Sequence, residues 1–302
     1  MVPARYSPER GRTSRMILTM ALLAVLTGVL VTPFFLVSPL WGAAALAAIV
    51  IVLAGHLRYA DRIALWAMDA REVTADEEPR LHTLVDRLCM SSGLPKPRVA
   101  VAGTDVPNAF AAGCTRDRRV VCVTTGLRDR LDVAELEGVL AHEMAHLAHR
   151  DLIVGAVAGF PAFCVEMTFG AVTGVFHEGR WPARLAGVLL LPMLPVALLL
   201  WPVSRLLDLA LSRHRELCAD RTGALLTGRP SASSSGLTKI CAEIENVPAA
   251  ELRALRPLNA LLIVPARPRA QALVGLLSTH PPLAVRVARL TEVSRRLASG
   301  RR

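Results

Sequence analysis

Long apolar runs alternate along this chain with stretches that carry charge at helical or strand spacing. From Met16 to Gly55 no side chain is charged, about twice the ~20 residues one helical span needs. Val37-Ser38-Pro39 interrupts that run, which predicts two helices joined by a tight turn. A second apolar pair covers Leu152 to Phe176 and Leu185 to Ser204, joined by a short connector carrying His177, Glu178, Arg180 and Arg184. Glu166 lies inside the third run, and Pro192, Pro195 and Pro202 lie inside the fourth. This pair therefore reads either as two spans or as buried, half-inserted helices.

Between and after the runs the pattern is that of a mixed domain. An amphipathic helix is predicted around Glu77–Cys89, followed by the turn Gly93-Leu94-Pro95. Short strands are predicted at Arg98–Ala102, Ala109–Cys114 and Val120–Thr124, the last two separated by the polar turn Thr115-Arg116-Asp117-Arg118. Asp132 suits the N-cap of a helix over Val133–Arg150, with Glu135 and Glu137 in its first turns. Further helices are expected at Leu206–Leu226, Leu237–Glu245 and, started by a proline, Pro282–Leu297. Arg229–Gly236 has the composition of a loop. The division that follows is 1–60 (tail and first apolar hairpin), 61–151, 152–207 (second apolar pair) and 208–302.

Charge adds orientation. The 302 residues are 53% hydrophobic with a net charge of +10, but the basic residues are scattered and only 4% of residues are aromatic, which argues against a nucleic-acid partner. Arg5, Arg10, Arg12 and Arg15 precede the first apolar pair, and Arg58 and Arg62 follow it. The positive-inside rule thus places both termini in the cytoplasm of a multi-pass membrane protein. The first run is far too long for a cleavable leader. Six cysteines form no Cys-x-x-Cys pair, which fits reduced thiols rather than a disulfide framework.

The chemistry centres on His142-Glu143-Met144-Ala145-His146. Residues four apart share a helix face, so both imidazoles can reach one ion, with Glu143 beside a bound water. A catalytic zinc needs a third protein ligand and an open position. Ten residues after the first histidine stands Leu152, so a third histidine at that spacing is excluded, and His149 begins to leave the ion-facing stripe. The downstream segment Ser212–Asp220 offers Glu216 and Asp220, again four apart, one carboxylate for the metal and one to orient a ligand.

With these motifs in order, the chain resembles the HtpX family of membrane zinc proteases, relatives of the prenyl-protein proteases. The likeness rests on Asp69–Val73 (DAREV), Gly93–Pro97 (GLPKP), Pro107–Ala111 (PNAFA), Leu136–Glu143 (LEGVLAHE) and Ser278–Pro282 (STHPP). It implies a mainly α membrane protein: four hydrophobic helices plus an α+β zincin-like protease domain with a small β-sheet. One Zn2+ per chain would be held by His142, His146 and Glu216, with Glu143 as catalytic acid/base and Asp220 orienting the site. Asn108, Ala109, Phe110 and Ala111 would form an edge strand that holds substrate. His280 would stabilise the oxyanion or orient substrate; the alternative is a loop histidine before a proline-started helix. Departures are Ala284 and Val285, where relatives often carry acidic residues, and Cys218 inside the ligand helix. The implied function is a membrane-embedded zinc endopeptidase in quality control of misfolded membrane proteins, acting on polypeptides at the lipid bilayer. The alternatives are a prenyl-protein-type processing protease, which a short four-span layout disfavours, and an inactive membrane scaffold, which should have lost a ligand or Glu143. Oligomeric state, cleavage preference and regulator are not legible.

Overall fold

The computed structural model describes residues 10–177, 187, 190–191, 194–248 and 278–299. Arg5, the connector residues Glu178, Arg180 and Arg184, and Leu185 and Pro192 of the fourth run lie outside the described residues. The chain divides into two compact units. One holds Leu57–Ile153 and the part from Ser212 onward; the other holds Pro8–His56 and Val154–Leu211.

The apolar unit is helical. Helix α1 (Arg10–Val37) stops at the expected break and α2 (Pro39–Ala67) begins after the single residue Ser38. Ser38 Oγ accepts from the Trp41 amide at 3.2 Å, satisfying one of the free amides at a helix start. Helices α6 (Asp151–His177) and α7 (Leu194–Thr227) carry the second pair of runs. Four segments, in α1, α2, α6 and α7, are long and apolar enough to cross a membrane. Their outward apolar side chains, such as Leu36, Leu40, Ile51 and Leu199, are more than two-thirds exposed, which suits contact with lipid rather than water. Ala158 and Leu211, with Met20 and Leu26 packed against them, make a small core in this unit. Glu166 lies exposed on α6.

The polar unit is built on a four-stranded sheet in the order β1-β2-β4-β3: β1 (Ala70–Glu72), β2 (Arg98–Ala102), β3 (Ala109–Ala112) and β4 (Val120–Thr124). β2 and β4 are parallel, while β1 and β3 run antiparallel to their neighbours. β3 is shorter than its apolar pattern suggests. Gly113 has φ 90°, and a Cβ there would stand 2.0 Å from the Arg118 carbonyl oxygen, so the chain turns before Cys114. Arg116–Arg118 then form a single 3-10 turn.

Helix α3 (Pro79–Ser92) and a short α4 (Thr125–Arg130) flank the strands. Helix α5 (Val133–His149) starts with a complete capping box: the Glu135 amide donates to Asp132 Oδ1 at 2.8 Å, and the Asp132 amide donates to Glu135 Oε2 at 3.1 Å. α5 packs on β3, β4 and on α8 (Pro230–Asn246), and α9 (Leu283–Ala298) packs on α8. Leu81, Leu84, Leu136, Leu140, Met144 and Ile240 fill the core between them.

Here the structure corrects one expectation. Arg229–Gly236 is not a loop: α8 begins at Pro230 and runs through it. Pro230 takes the first helical position, where its missing N–H costs nothing. Ser233 and Gly236 are the small residues that let α8 approach α5 at Gly138 and Glu135. Ser235 Oγ and Lys239 Nζ each donate to a Glu135 oxygen at 2.7 Å. Packing outweighs a serine-rich composition's weak helix preference.

Candidate active site

α5 presents His142 and His146 on one face, with their Nε2 atoms 3.1 Å apart. α7 brings Glu216 to both: Oε2 lies 3.5 Å from His142 Nε2 and Oε1 lies 3.5 Å from His146 Nε2. The approach depends on Gly223. A Cβ at that position would stand 2.9 Å from the His142 amide nitrogen and 3.0 Å from the Ala141 carbonyl carbon, so a side chain there would push α7 away from α5.

The outer nitrogens are held as well. His142 Nδ1 faces Asp220 Oδ1 at 3.0 Å, and His146 Nδ1 faces Asp151 Oδ2 at 2.8 Å. The second contact is possible because Arg150 adopts a left-handed conformation (φ 57°) that ends α5 and turns Asp151 back toward its last turn. Arg215 Nη1 donates to the Asp151 backbone oxygen at 2.6 Å, which ties that corner to α7. Arg286, on α9 and almost completely buried, grips Asp220 with two hydrogen bonds of 2.6 and 2.8 Å. It also stands 3.7 Å from Glu216. His280, just before α9, places Nε2 3.6 Å from Glu216 Oε1.

Every sequence-predicted site residue on α5, α7 and the Ser278–Pro282 stretch therefore converges. Asn108–Ala111 is at the sheet edge, with Asn108 buried and its amide donating to Thr124 Oγ1 at 2.9 Å. His149 turns away, toward Thr222 at 3.4 Å. Sequence reasoning missed Asp151, Gly223 and Arg286. An aspartate five residues after the second histidine was a usable signal for the first; the other two depend on contacts made at long range.

The electrostatics follow from burial. Glu143 is buried, which raises its carboxyl pKa above the ordinary value, against the pull of both histidines and the Ala111 backbone. His280 is pushed down to about 4 by burial, although the Glu216 charge works the other way, so it is neutral at physiological pH. Burial also penalises protonated His142 and His146, yet their carboxylate neighbours outweigh it and raise both pKa values. The pocket thus favours positive charge where the two Nε2 atoms and Glu216 meet.

Could these residues hold a metal? The donor atoms of His142, His146 and Glu216 all lie within 4.8 Å of one another. A tetrahedral zinc with ligands at about 2.0–2.1 Å would want neighbours roughly 3.3 Å apart, close to the 3.1 and 3.5 Å found. Glu216 Oε2 is buried without a hydrogen-bond partner, an exception that ordinarily demands an explanation. The donor set fits.

Two histidines one helical turn apart, a glutamate between them and a carboxylate from a second helix make a candidate metallopeptidase site of the gluzincin type, here in a chain with four candidate spans. Peptidase family M48 matches residues 75–294, and the chain belongs to that family. It is 39% identical to "Protease HtpX homolog 1" of Streptomyces coelicolor over 97% of this chain and 96% of that one. It is also 39% identical to "Protease HtpX homolog" of Moorella thermoacetica, over 97% and 98%. The crystal structure of S. mikatae Ste24p aligns with 92% of this chain and 66% of its own, at 18% identity and a TM-score of 0.49. The protein is a membrane metalloendopeptidase that acts on polypeptides.

Proposed function

We propose that the protein is a zinc endopeptidase whose site faces the cytoplasm and whose substrates are misfolded or unassembled membrane proteins. The observation that carries the zinc assignment is the buried Glu216 carboxylate set between the two histidines, Oε2 3.5 Å from His142 Nε2 and Oε1 3.5 Å from His146 Nε2, with Oε2 making no hydrogen bond. These three residues would hold the ion, which when bound supplies Lewis-acid activation of water and of the scissile carbonyl. Asp220 and Asp151 fix the two imidazoles through their outer nitrogens. Glu143, whose burial raises its proton affinity, takes the proton of the attacking water and delivers it to the leaving amine. His280, neutral and beside Glu216, donates to the oxygen that becomes negative in the tetrahedral intermediate.

β3 ends the sheet order, so its outer edge can accept a substrate strand through main-chain hydrogen bonds, with side-chain pockets adding selectivity. Asn108, held by Thr124, fixes the start of that edge. Only four residues separate His146 from Asp151, where the apolar helix α6 begins, roughly 8 Å at helical rise. That spacing supports membrane-tethered chains as substrates, because tethering raises their effective concentration.

The test is Glu143→Gln. It should keep stoichiometric zinc and lose casein cleavage by about 10²–10⁴-fold; cleavage at the wild-type rate would defeat the assigned mechanism. Zinc-free protein that stays active in chelator would defeat the metal assignment. Liposomes carrying one unfolded reporter, tethered or free, test the substrate class: equal cleavage efficiency at matched concentration would leave a general peptidase that is merely anchored.

A further inference from the structure

Five arginines of the polar unit lie on elements that the fold brings together. Arg58 and Arg62 lie at the end of α2, just past the charge-free run that stops at Gly55. Arg116 and Arg119 border the turn between β3 and β4, and Arg150 joins α5 to α6. Among the described residues none of the five makes an ion pair with a carboxylate, whereas neighbouring Arg98 and Arg118 are both bound to Asp61. All but Arg119 are exposed, and Arg119 is half-buried.

Three contacts bring their elements together. Arg118 Nη1 donates to the Arg58 backbone oxygen at 3.0 Å. The guanidinium carbons of Arg58, Arg62 and Arg118 lie 5.6, 5.9 and 5.9 Å from the Tyr59 ring centre. Leu152, two residues beyond Arg150, packs on the apolar cluster made by Ala64 of α2 and Met68 just after it with Ala112 and Val120 of the β3–β4 hairpin. Arg119 responds to this crowding: burial lowers its pKa, and the charges of Arg150 and Arg116 lower it further.

The same end of α2 exposes an aromatic face. Tyr59, Ile63 and Trp66, spaced four and three apart on one side of the helix, are 47%, 47% and 84% exposed. Tyrosine and tryptophan concentrate at the membrane–water interface, and three exposed apolar side chains on one helix face make a patch of the kind that marks an interaction surface. Guanidinium forks match phosphate oxygens in geometry as well as charge.

We propose that Arg58, Arg62, Arg116, Arg119 and Arg150 form a binding surface for the phosphate headgroups of anionic phospholipids, with Tyr59 and Trp66 seated in the headgroup layer. Continuity with a helix able to span a membrane selects lipid over a free phosphate. The proposal does not depend on the protease assignment. It does give the lipid a route to the site, since Arg150 is followed directly by Asp151, which orients His146.

The full-length chain in neutral detergent can be titrated with phosphatidylglycerol or phosphatidylcholine, and retained lipid counted by native mass spectrometry. Phosphatidylglycerol should bind preferentially. Arg116→Gln/Arg119→Gln/Arg150→Gln should weaken it by on the order of a hundredfold, about fivefold per interfacial arginine. A control, Arg289→Gln/Arg295→Gln/Arg296→Gln, makes the same change of charge at exposed positions of α9 and should leave binding within about threefold, since surface charges act mainly within a Debye length. Equal retention of both lipids, or equal loss in the control, would overturn the proposal. So would displacement of phosphatidylglycerol by inorganic phosphate at matched concentration, which would mark a free-anion site.

Discussion

Arg286 offers the sharpest test of how the site is held, because its burial leaves so little room for compensation. It is 2% exposed, makes two hydrogen bonds to the equally buried Asp220, and reaches within 3.7 Å of Glu216. Its own pKa shows the balance: burial lowers it, and the Asp220 charge more than restores it. Arg286→Met removes the cation and keeps most of the volume. Asp220 is then left buried with His142 Nδ1, at 3.0 Å, as the remaining partner among those described. Breaking a buried pair from one side costs about 3–5 kcal/mol, which for a domain this size lowers Tm by roughly 6–20 °C. Thermal unfolding in detergent, in a Glu143→Gln background to prevent self-cleavage, would measure it. The companion Asp220→Asn/Arg286→Met should recover at least about 2 kcal/mol of the summed single losses, since removing both charges is often nearly neutral. Strictly additive losses, or a single-variant loss below about 1 kcal/mol, would show that the pair is not what secures α9 to the ligand helix.

Other outcomes are expected from the same geometry. Gly223→Ala should separate α5 from α7 and cost about 1–3 kcal/mol, read as reduced zinc retention against a competing chelator; unchanged retention would mean the helices can absorb the methyl. Asp151→Asn should weaken zinc binding by about 10–100-fold with the fold intact by circular dichroism; equal zinc affinity would reduce Asp151 to a helix-start residue. Cys89 and Cys241 are each pushed by burial to about 11. Between pH 7 and 10 their alkylation in native protein should speed about tenfold per pH unit, because only the thiolate reacts. A rate that is flat with pH would show the thiols to be gated by opening instead.

Much of this was legible in the chain because its signals are local. The break at Ser38, three of the four strands of the sheet and the His-Glu-x-x-His helix all rest on periodicity, caps and turns within a few residues. What escaped rests on distance. Arg286 reads as an exposed charge on an amphipathic helix until its carboxylate, 66 positions away, is known. Gly223 reads as an ordinary helix weakness until the backbone of His142 is set against it. β1 is three residues long and exists through its pairing with β2, too short for an alternation to be seen.

The capping box of α5 carries a consequence for the order in which this domain opens. Glu135 closes that box and also receives Ser235 and Lys239, so a single carboxylate starts one helix and clamps another. The clamped helix opens with four serines and a glycine among its first seven residues, a stretch with little tendency to be helical alone. Its order is borrowed from α5. In hydrogen exchange the amides of residues 233–239 should therefore lose protection before those of α5, as a separate low-energy opening. Because α9 lies on α8, and Arg286 of α9 braces Asp220 behind His142, such an opening would loosen the metal-binding face from the rear while leaving His142 and His146 on an intact helix.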